Sequence, residues 1–516
     1  MKKIIAVLVL SFMFIVVKAQ ETDNKKMNVV FILADDLGWA DVTLYGKTKL
    51  YETPNLERLA ARGIMFTRAY AASPLCSPTR ASILTGQTPA RTGITSPAAH
   101  QPKVELKASV PSKAAPDSKS VACKPVTRLD TIIPTLGKLL KADGYNTAHF
   151  GKWHLGREPY TPLQHGFHVD IPHWPGPGPA GSFVAPWKYP NFKANYENEH
   201  IEDRMADEAI NWLRSIDLNE PFFMNYWQFS VHAPFDAKES LIKYYQTKID
   251  FTDLQHSPTY AAMVHSLDQA VGRLLDEIDR LGISDRTAIV FFSDNGGNMY
   301  NGIRETTQSG EEFITEPTSN RPLRGGKATI YEGGTRVPCI VAWPKITEAG
   351  TTSDVMIQST DFYPTILNQL GIQFPKKHKI DGVDITKALQ GENQDRGPII
   401  TYFPHQPKIP NWLPPSVSVH QGDWKLIRVF YNGKDFAHQY FLYNLKQDIG
   451  ELHNLAEKHP EKVKQLDAII EAHLQDANAV LPIINPTFDQ EKYHPETVGI
   501  QKGGLRVAKR IDRTKN

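Results

Sequence analysis

The sequence predicts an α/β fold, a sheet with helices on both sides, followed by a smaller α+β domain. Short unbroken apolar runs alternate with segments of helical periodicity, and acidic or polar turn residues follow the runs directly. After about residue 395 the runs become shorter and more strand-like.

The first run, residues 27–33, carries Val-Val-Phe-Ile-Leu and gives way at once to Asp35 and Asp36. A compact apolar run suits a strand buried on both faces of a parallel sheet. A second run, residues 288–292, ends in Ser293, Asp294, Asn295 and two glycines. A third, residues 222–229, ends near His232. Leu136, Leu139 and Leu140 share a helical face closed by Gly144, and residues 260–281 form a longer amphipathic helix closed by Gly282. Residues 100–127, rich in Lys, Ala, Ser and Pro, read as a surface insertion. Residues 172–192 and 299–322 read as loops. Strands are expected at residues 424–429 and 440–445, and a helix near 461–476. The domains are then a leader at 1–19, a larger α/β domain at 20–395 and a smaller C-terminal domain at 396–516.

The chain has 516 residues, enough for a large core. Hydrophobic residues make up 41% and charged residues 22%, which is ordinary globular usage and not that of a multi-span membrane protein. With 58 basic against 56 acidic residues there is no excess positive charge to favour a nucleic-acid partner. Lys2 and Lys3 precede an apolar run at residues 4–17, and Val17-Lys18-Ala19 places small residues where a signal peptidase reads. Export to the periplasm or the medium is expected, with cleavage after Ala19. The run is shorter than the roughly 20 residues of a membrane span, so no stable anchor is expected. Of three cysteines, Cys76, Cys123 and Cys339, at most one pair can bridge, which leaves a thiol to be explained.

Cys76 opens Cys-Ser-Pro-Thr-Arg, ending at Arg80. Ser77 is a suitable N-cap, Pro78 fits a first helical turn, and Gly86 a stop. Cys76 thus sits at the positive end of a helix with Arg80 one turn on, a place suited to an anion. The pentapeptide resembles the Cys-x-Pro-x-Arg signature of the formylglycine-dependent sulfatases of the alkaline phosphatase superfamily. In that family an enzyme oxidises the cysteine to an aldehyde. Its hydrate attacks sulfur with one hydroxyl and expels sulfate with the other, where a serine would be trapped as its ester.

The resemblance runs from about residue 28 to 455. It implies an alkaline-phosphatase-like mixed sheet and a metal site made of Asp35, Asp36, Asp294, Asn295 and the modified Cys76. Oxygen ligands without His favour Ca²⁺, or Mg²⁺, over zinc. Gly151-Lys152-Trp153-His154-Leu155-Gly156 is similar to a family segment in which the lysine contacts sulfate and the histidine is a base. His232 matches the general acid to the leaving alcohol. Arg324-Gly325-Gly326-Lys327 matches the element whose lysine neutralises sulfate. Cations and histidines suit a reaction that gathers charge on a transferring group and moves protons near neutral pH.

His405, in a Pro-His step, and Arg324 are candidates to bind substrate. Trp174, with Trp187 and Tyr189, offers aromatic faces for sugar rings. The implied partners are a formylglycine-generating enzyme and a sulfated carbohydrate, as for exported bacterial relatives, with a marine algal polysaccharide such as ulvan as the guess. A phosphonate or phosphate ester hydrolase of the same superfamily, and a non-catalytic glycan-binding relative, are the alternatives.

Overall fold

The computed structural model describes residues 25–507, and the expected leader at 1–19 lies outside the described residues. Its centre is a nine-stranded sheet. The strands are β1 (Asn28–Ala34), β2 (Ile64–Tyr70), β3 (Asn146–Gly151), β4 (Val169–Ile171), β5 (Phe222–Trp227), β6 (Thr287–Ser293), β7 (Arg336–Ala342), β8 (Thr351–Ser353) and β9 (Ile357–Gln358). Their order is β8-β2-β7-β6-β1-β5-β3-β4, with β9 also paired to β2. Only β7 runs against its neighbours, β6 and β2. The other pairings are parallel.

β1, β5 and β6 are buried at every position, because helices cover both faces. Strand alternation sorts their side chains into two cores. Val30, Ile32, Met224, Tyr226 and Phe291 pack against α3 (Ile201–Ser215) and α4 (Pro258–Arg280). Phe31, Leu33, Phe223, Val290 and Phe292 pack against α1 (Cys76–Thr85), α2 (Leu136–Ala142) and α5 (Phe362–Gln369). Among the described residues no helix is long and apolar enough to cross a membrane.

Two expectations need correction, and the cysteine pairing that the sequence left open is decided. The helix at Cys76 is capped by Leu75, not Ser77, because the Ser77 hydroxyl donates to the His154 carbonyl instead (2.6 Å). Residues 299–322 are not one loop: Asn301–Thr306 and Glu312–Thr315 form a hairpin. Its polar sequence reflects an exposed outer strand and a buried Glu305 that accepts from Ser257 and Thr259 at the start of α4. All three cysteines are free: Cys339 faces the core within β7, and Cys123 donates to the Val480 carbonyl.

The C-terminal sheet is antiparallel, β10 (Ile399–Phe403), β11 (Ser416–Gln421), β12 (Trp424–Val429) and β13 (Gln439–Asn444). One face packs on α6 (Pro460–Asp476) through Leu466, Ile470 and Leu474. The other lays Phe403, Ile427 and Tyr443 over Leu75, Ala328 and Tyr331, beside the start of α1. The chain then returns to the first domain, where Ile483–Ile484 pairs with Ser120–Val121.

A buried charge cluster ties the two sheets. Lys425 on β12 reaches Glu332 (3.1 Å) and Glu451 (2.8 Å), and His420 on β11 also bonds Glu332 (2.7 Å). Removing the cation would leave two buried carboxylates facing each other. Lys425→Ala is therefore expected to cost about 3–5 kcal/mol, read from the urea midpoint and slope. An unchanged midpoint would contradict this account of the domain contact.

Candidate active site

The carboxyl ends of the parallel strands gather the charged residues at one edge of the sheet, where open α/β sheets bind ligands. Asp35 and Asp36 follow β1, Lys152 follows β3, His232 lies beyond β5, and Asp294 and Asn295 follow β6. Because β7 is antiparallel, its amino end meets the same edge, so Lys327, which precedes it, arrives there too. Two close approaches require glycine. A Cβ at Gly151 would fall 1.9 Å from the Trp227 carbonyl oxygen, and one at Gly296 would fall 1.7 Å from that of Gly333. Asp36 turns through a left-handed φ of 63°, which Asp tolerates better than most side chains.

The contacts form one buried network. Arg80 donates to Asp294 (2.8 Å) and to the Lys152 carbonyl (2.6 Å), and lies 3.7 Å from Asp35. Lys152 donates to Asp35 and Lys327 to Asp36, each at 2.6 Å. Asn295 donates to Asp36 (2.8 Å), whose own N–H donates to Asp294 (3.1 Å). Ligand atoms of Asp35, Cys76 and Asp294 lie within 4.8 Å of one another, as do those of Asp35, Asp36 and His232. Cys76 Sγ is 3.4 Å from His154 Nδ1, and His232 Nε2 is 3.8 Å from Asp36. The cap of α1 uses no side chain, so no side-chain cap satisfies the first N–H groups of the helix that carries residue 76.

Electrostatics follow from burial. Desolvation, with Asp35 next, pushes the Asp294 carboxyl up to about 6. Burial alone would also raise Asp36, but its neighbours, Lys327 foremost, outweigh it and hold that carboxyl below the usual range. Burial, then the Lys327 ammonium, pushes His232 down to about 3. His154 is pushed well down by burial and then Lys152.

The oxygens can accept a cation. Asp35 Oδ1 and Asn295 Oδ1 are buried with no hydrogen-bond partner, an expensive state for a lone polar atom. Three carboxylates face three cationic side chains, so a bound dication would leave the pocket positive and ready for an anion.

The remaining candidates make contacts of their own. His405 bonds Thr95 (2.9 Å) and packs on Phe403. Arg324 stacks on Tyr331 and donates to the Glu451 carbonyl (2.8 Å), joining the two domains. Trp174 packs edge-on against Tyr189 and donates to the Gly178 carbonyl; Gly178 itself lies against the His232 ring. Trp187 packs edge-on against Tyr189 and stacks on Phe192. The structure also brings in a residue the sequence reading missed. His100, from the insertion, places Nδ1 3.1 Å from His154 Nε2. A single histidine in a polar loop carries no pattern that could have marked it.

Burial pushes His165, His405 and His420 down to about 4. Their folded values lie below the ordinary imidazole value of about 6.5, so between the two the unfolded chain binds more protons. Their contribution is complete above about pH 6.5 and is lost as pH falls towards about 4. The urea midpoint should therefore drop over that window, and His165→Phe should remove part of the slope. An unaltered slope in the variant would contradict the assignment.

The sulfatase family model matches residues 27–372, and a model described as N-sulphoglucosamine sulphohydrolase, C-terminal, matches residues 326–479. The chain is 33% identical over 401 residues to the N-acetylgalactosamine-6-sulfatase of Rattus norvegicus, covering 73% of this chain and 68% of that protein. It is 28% identical over 504 residues to a sulfatase of Formosa agariphila, covering 85% and 86%. Among solved structures, Ps i-CgsB in complex with k-i-k-neocarrahexaose aligns with a TM-score of 0.69 at 25% identity, covering 88% and 94%. A mixed sheet with its charged edge, continuous with matches over both domains, assigns the chain to the sulfatase family, hydrolases of sulfate esters.

Proposed function

We propose that this sulfatase removes sulfate from a carbohydrate, using a formylglycine formed from Cys76 and a Ca²⁺ held by Asp35, Asp36, Asp294 and Asn295. One observation carries the reading: residue 76 shares a buried pocket with three carboxylates and three cationic side chains drawn from distant segments. When bound, the cation supplies charge against the sulfate oxygens, and the hydrated aldehyde supplies one hydroxyl to attack sulfur and a second to release sulfate. Mg²⁺ fits the same oxygen donors less well, because it demands a stricter octahedron.

The chain's own groups do the rest. Arg80 fixes Asp294 and the Lys152 carbonyl, and so sets the pocket's geometry. Lys152 and Lys327 rest on Asp35 and Asp36. Once those carboxylates are engaged elsewhere, both ammoniums are free to neutralise sulfate oxygens. A sulfate beside His232 offsets the Lys327 charge that, after burial, disfavours the imidazolium, and so favours a proton there for the leaving oxygen. His154 Nδ1 takes the proton from residue 76. The balance is R–O–SO₃⁻ plus water giving R–OH plus HSO₄⁻.

A carbohydrate substrate is supported by the names of the relatives, one an N-acetylgalactosamine-6-sulfatase and one a structure holding neocarrahexaose. The test is a screen for released sulfate. Candidates are 6-sulfated N-acetylgalactosamine, carrageenan oligosaccharides and ulvan oligosaccharides, with a simple aryl sulfate alongside. Turnover of at least one sulfated sugar at higher kcat/KM than the aryl sulfate is expected. Activity confined to the aryl sulfate would refute the carbohydrate assignment.

A further inference from the structure

We propose that His100 is a positioning residue for the reaction, holding His154 in the tautomer whose Nδ1 lone pair faces residue 76 and linking that buried ring to solvent. This deepens the reading of His154 as the base, and rests on it.

A neutral imidazole carries its proton on one of two nitrogens. For His154 Nδ1 to accept a proton from residue 76 it must be bare, so the ring's own proton must sit on Nε2. The atom facing Nε2 is His100 Nδ1, at 3.1 Å. That atom accepts only if the His100 proton sits on its own Nε2. One arrangement of the two rings is compatible with a base at residue 76, the one in which His154 Nε2 donates to His100 Nδ1 across this contact.

Burial gives His100 a second task. His154 is fully buried, whereas His100 is exposed. A proton taken up at His154 Nδ1 has no direct exit to water. Through His100 the transfer balances. The O–H bond at residue 76 breaks and its proton joins His154 Nδ1. The proton on His154 Nε2 passes to His100 Nδ1, and that on His100 Nε2 leaves to solvent.

The position of His100 is built rather than incidental. Arg157 donates to the His100 carbonyl (2.7 Å). Arg128, buried, donates to the carbonyls of Ala98 (3.4 Å) and Gln101 on either side. Burial, and then the charges of Arg128, Lys152 and Arg157, also disfavour protonation of His100, so the ring stays neutral and one of its nitrogens can accept.

The test is a double-mutant cycle on the mature full-length enzyme, with an aryl sulfate as probe. His100→Ala is expected to lower kcat by about 10- to 100-fold, the usual cost of losing the partner that orients a functional histidine, with little change in KM. His100→Asn, whose side-chain oxygen occupies the place of Nδ1, should restore most of that loss. In a His154→Ala background, His100→Ala should cost little more. An equal loss in both backgrounds, an effect on KM alone, or no effect of His100→Ala would each overturn the proposal. Should His154→Ala itself keep wild-type kcat, the base reading fails first, and that result is seen independently of His100.

Discussion

Cys76→Ser is expected to abolish steady-state hydrolysis of sulfate esters, a fall of about four orders of magnitude or more, as when a nucleophile is removed from an otherwise intact site. The side chains are nearly isosteric, and position 76 is buried at the first turn of α1 among charged groups that the substitution does not touch. The fold should therefore be kept, with an urea midpoint close to that of the wild type. What is lost is the second hydroxyl. A serine can attack sulfur once, but its ester has no internal group with which to expel sulfate. At most one sulfate per enzyme should be released. Sustained turnover by the serine variant would contradict a formylglycine mechanism.

Arg80→Ala is expected to be the most damaging single change at a residue that need not touch the reacting atoms. Arg80 is fully buried, pairs with Asp294, lies near Asp35 and stacks over the Trp227 ring at 5.3 Å. In the metal-free protein, truncation would leave Asp294 buried without its cationic partner, a cost of about 3–5 kcal/mol. It would also release the Lys152 carbonyl that Arg80 holds. Arg80→Lys should not rescue, because an ammonium cannot reproduce a fork that serves a carboxylate and a carbonyl together. The double variant Arg80→Met with Asp294→Asn removes both charges at once. It should recover most of the stability and none of the activity. Recovery of both would show that the pair is structural filling rather than part of the site.

The parts of this architecture that could be read in the sequence share a physical origin. The runs at β1, β5 and β6 are legible because strands covered on both faces must be apolar throughout. The Asp pairs are legible because they interrupt those runs at the ligand-binding end. β7 is harder. It contains Pro338, and proline argues against a central strand. The structure accommodates it with a register shift between Val337 and Cys339, and pairing to β6 begins only at Cys339. Yet this one antiparallel strand is what delivers Lys327 to the same edge as the aspartates. The hairpin at 301–315 was hidden because its exposed face is polar, and polar alternation resembles a loop. His100 and the Lys425 cluster depend on contacts between residues far apart in the chain, such as Lys425 with Glu332, and no local pattern encodes those.

Mass spectrometry of the peptide containing Cys76, from enzyme made in a host that carries the maturation machinery, tests the central claim most directly. The account predicts an aldehyde at residue 76, trapped by a hydrazine probe, in a fraction that rises in proportion to specific activity across preparations. Full activity from a preparation whose residue 76 is entirely an unmodified thiol would contradict it.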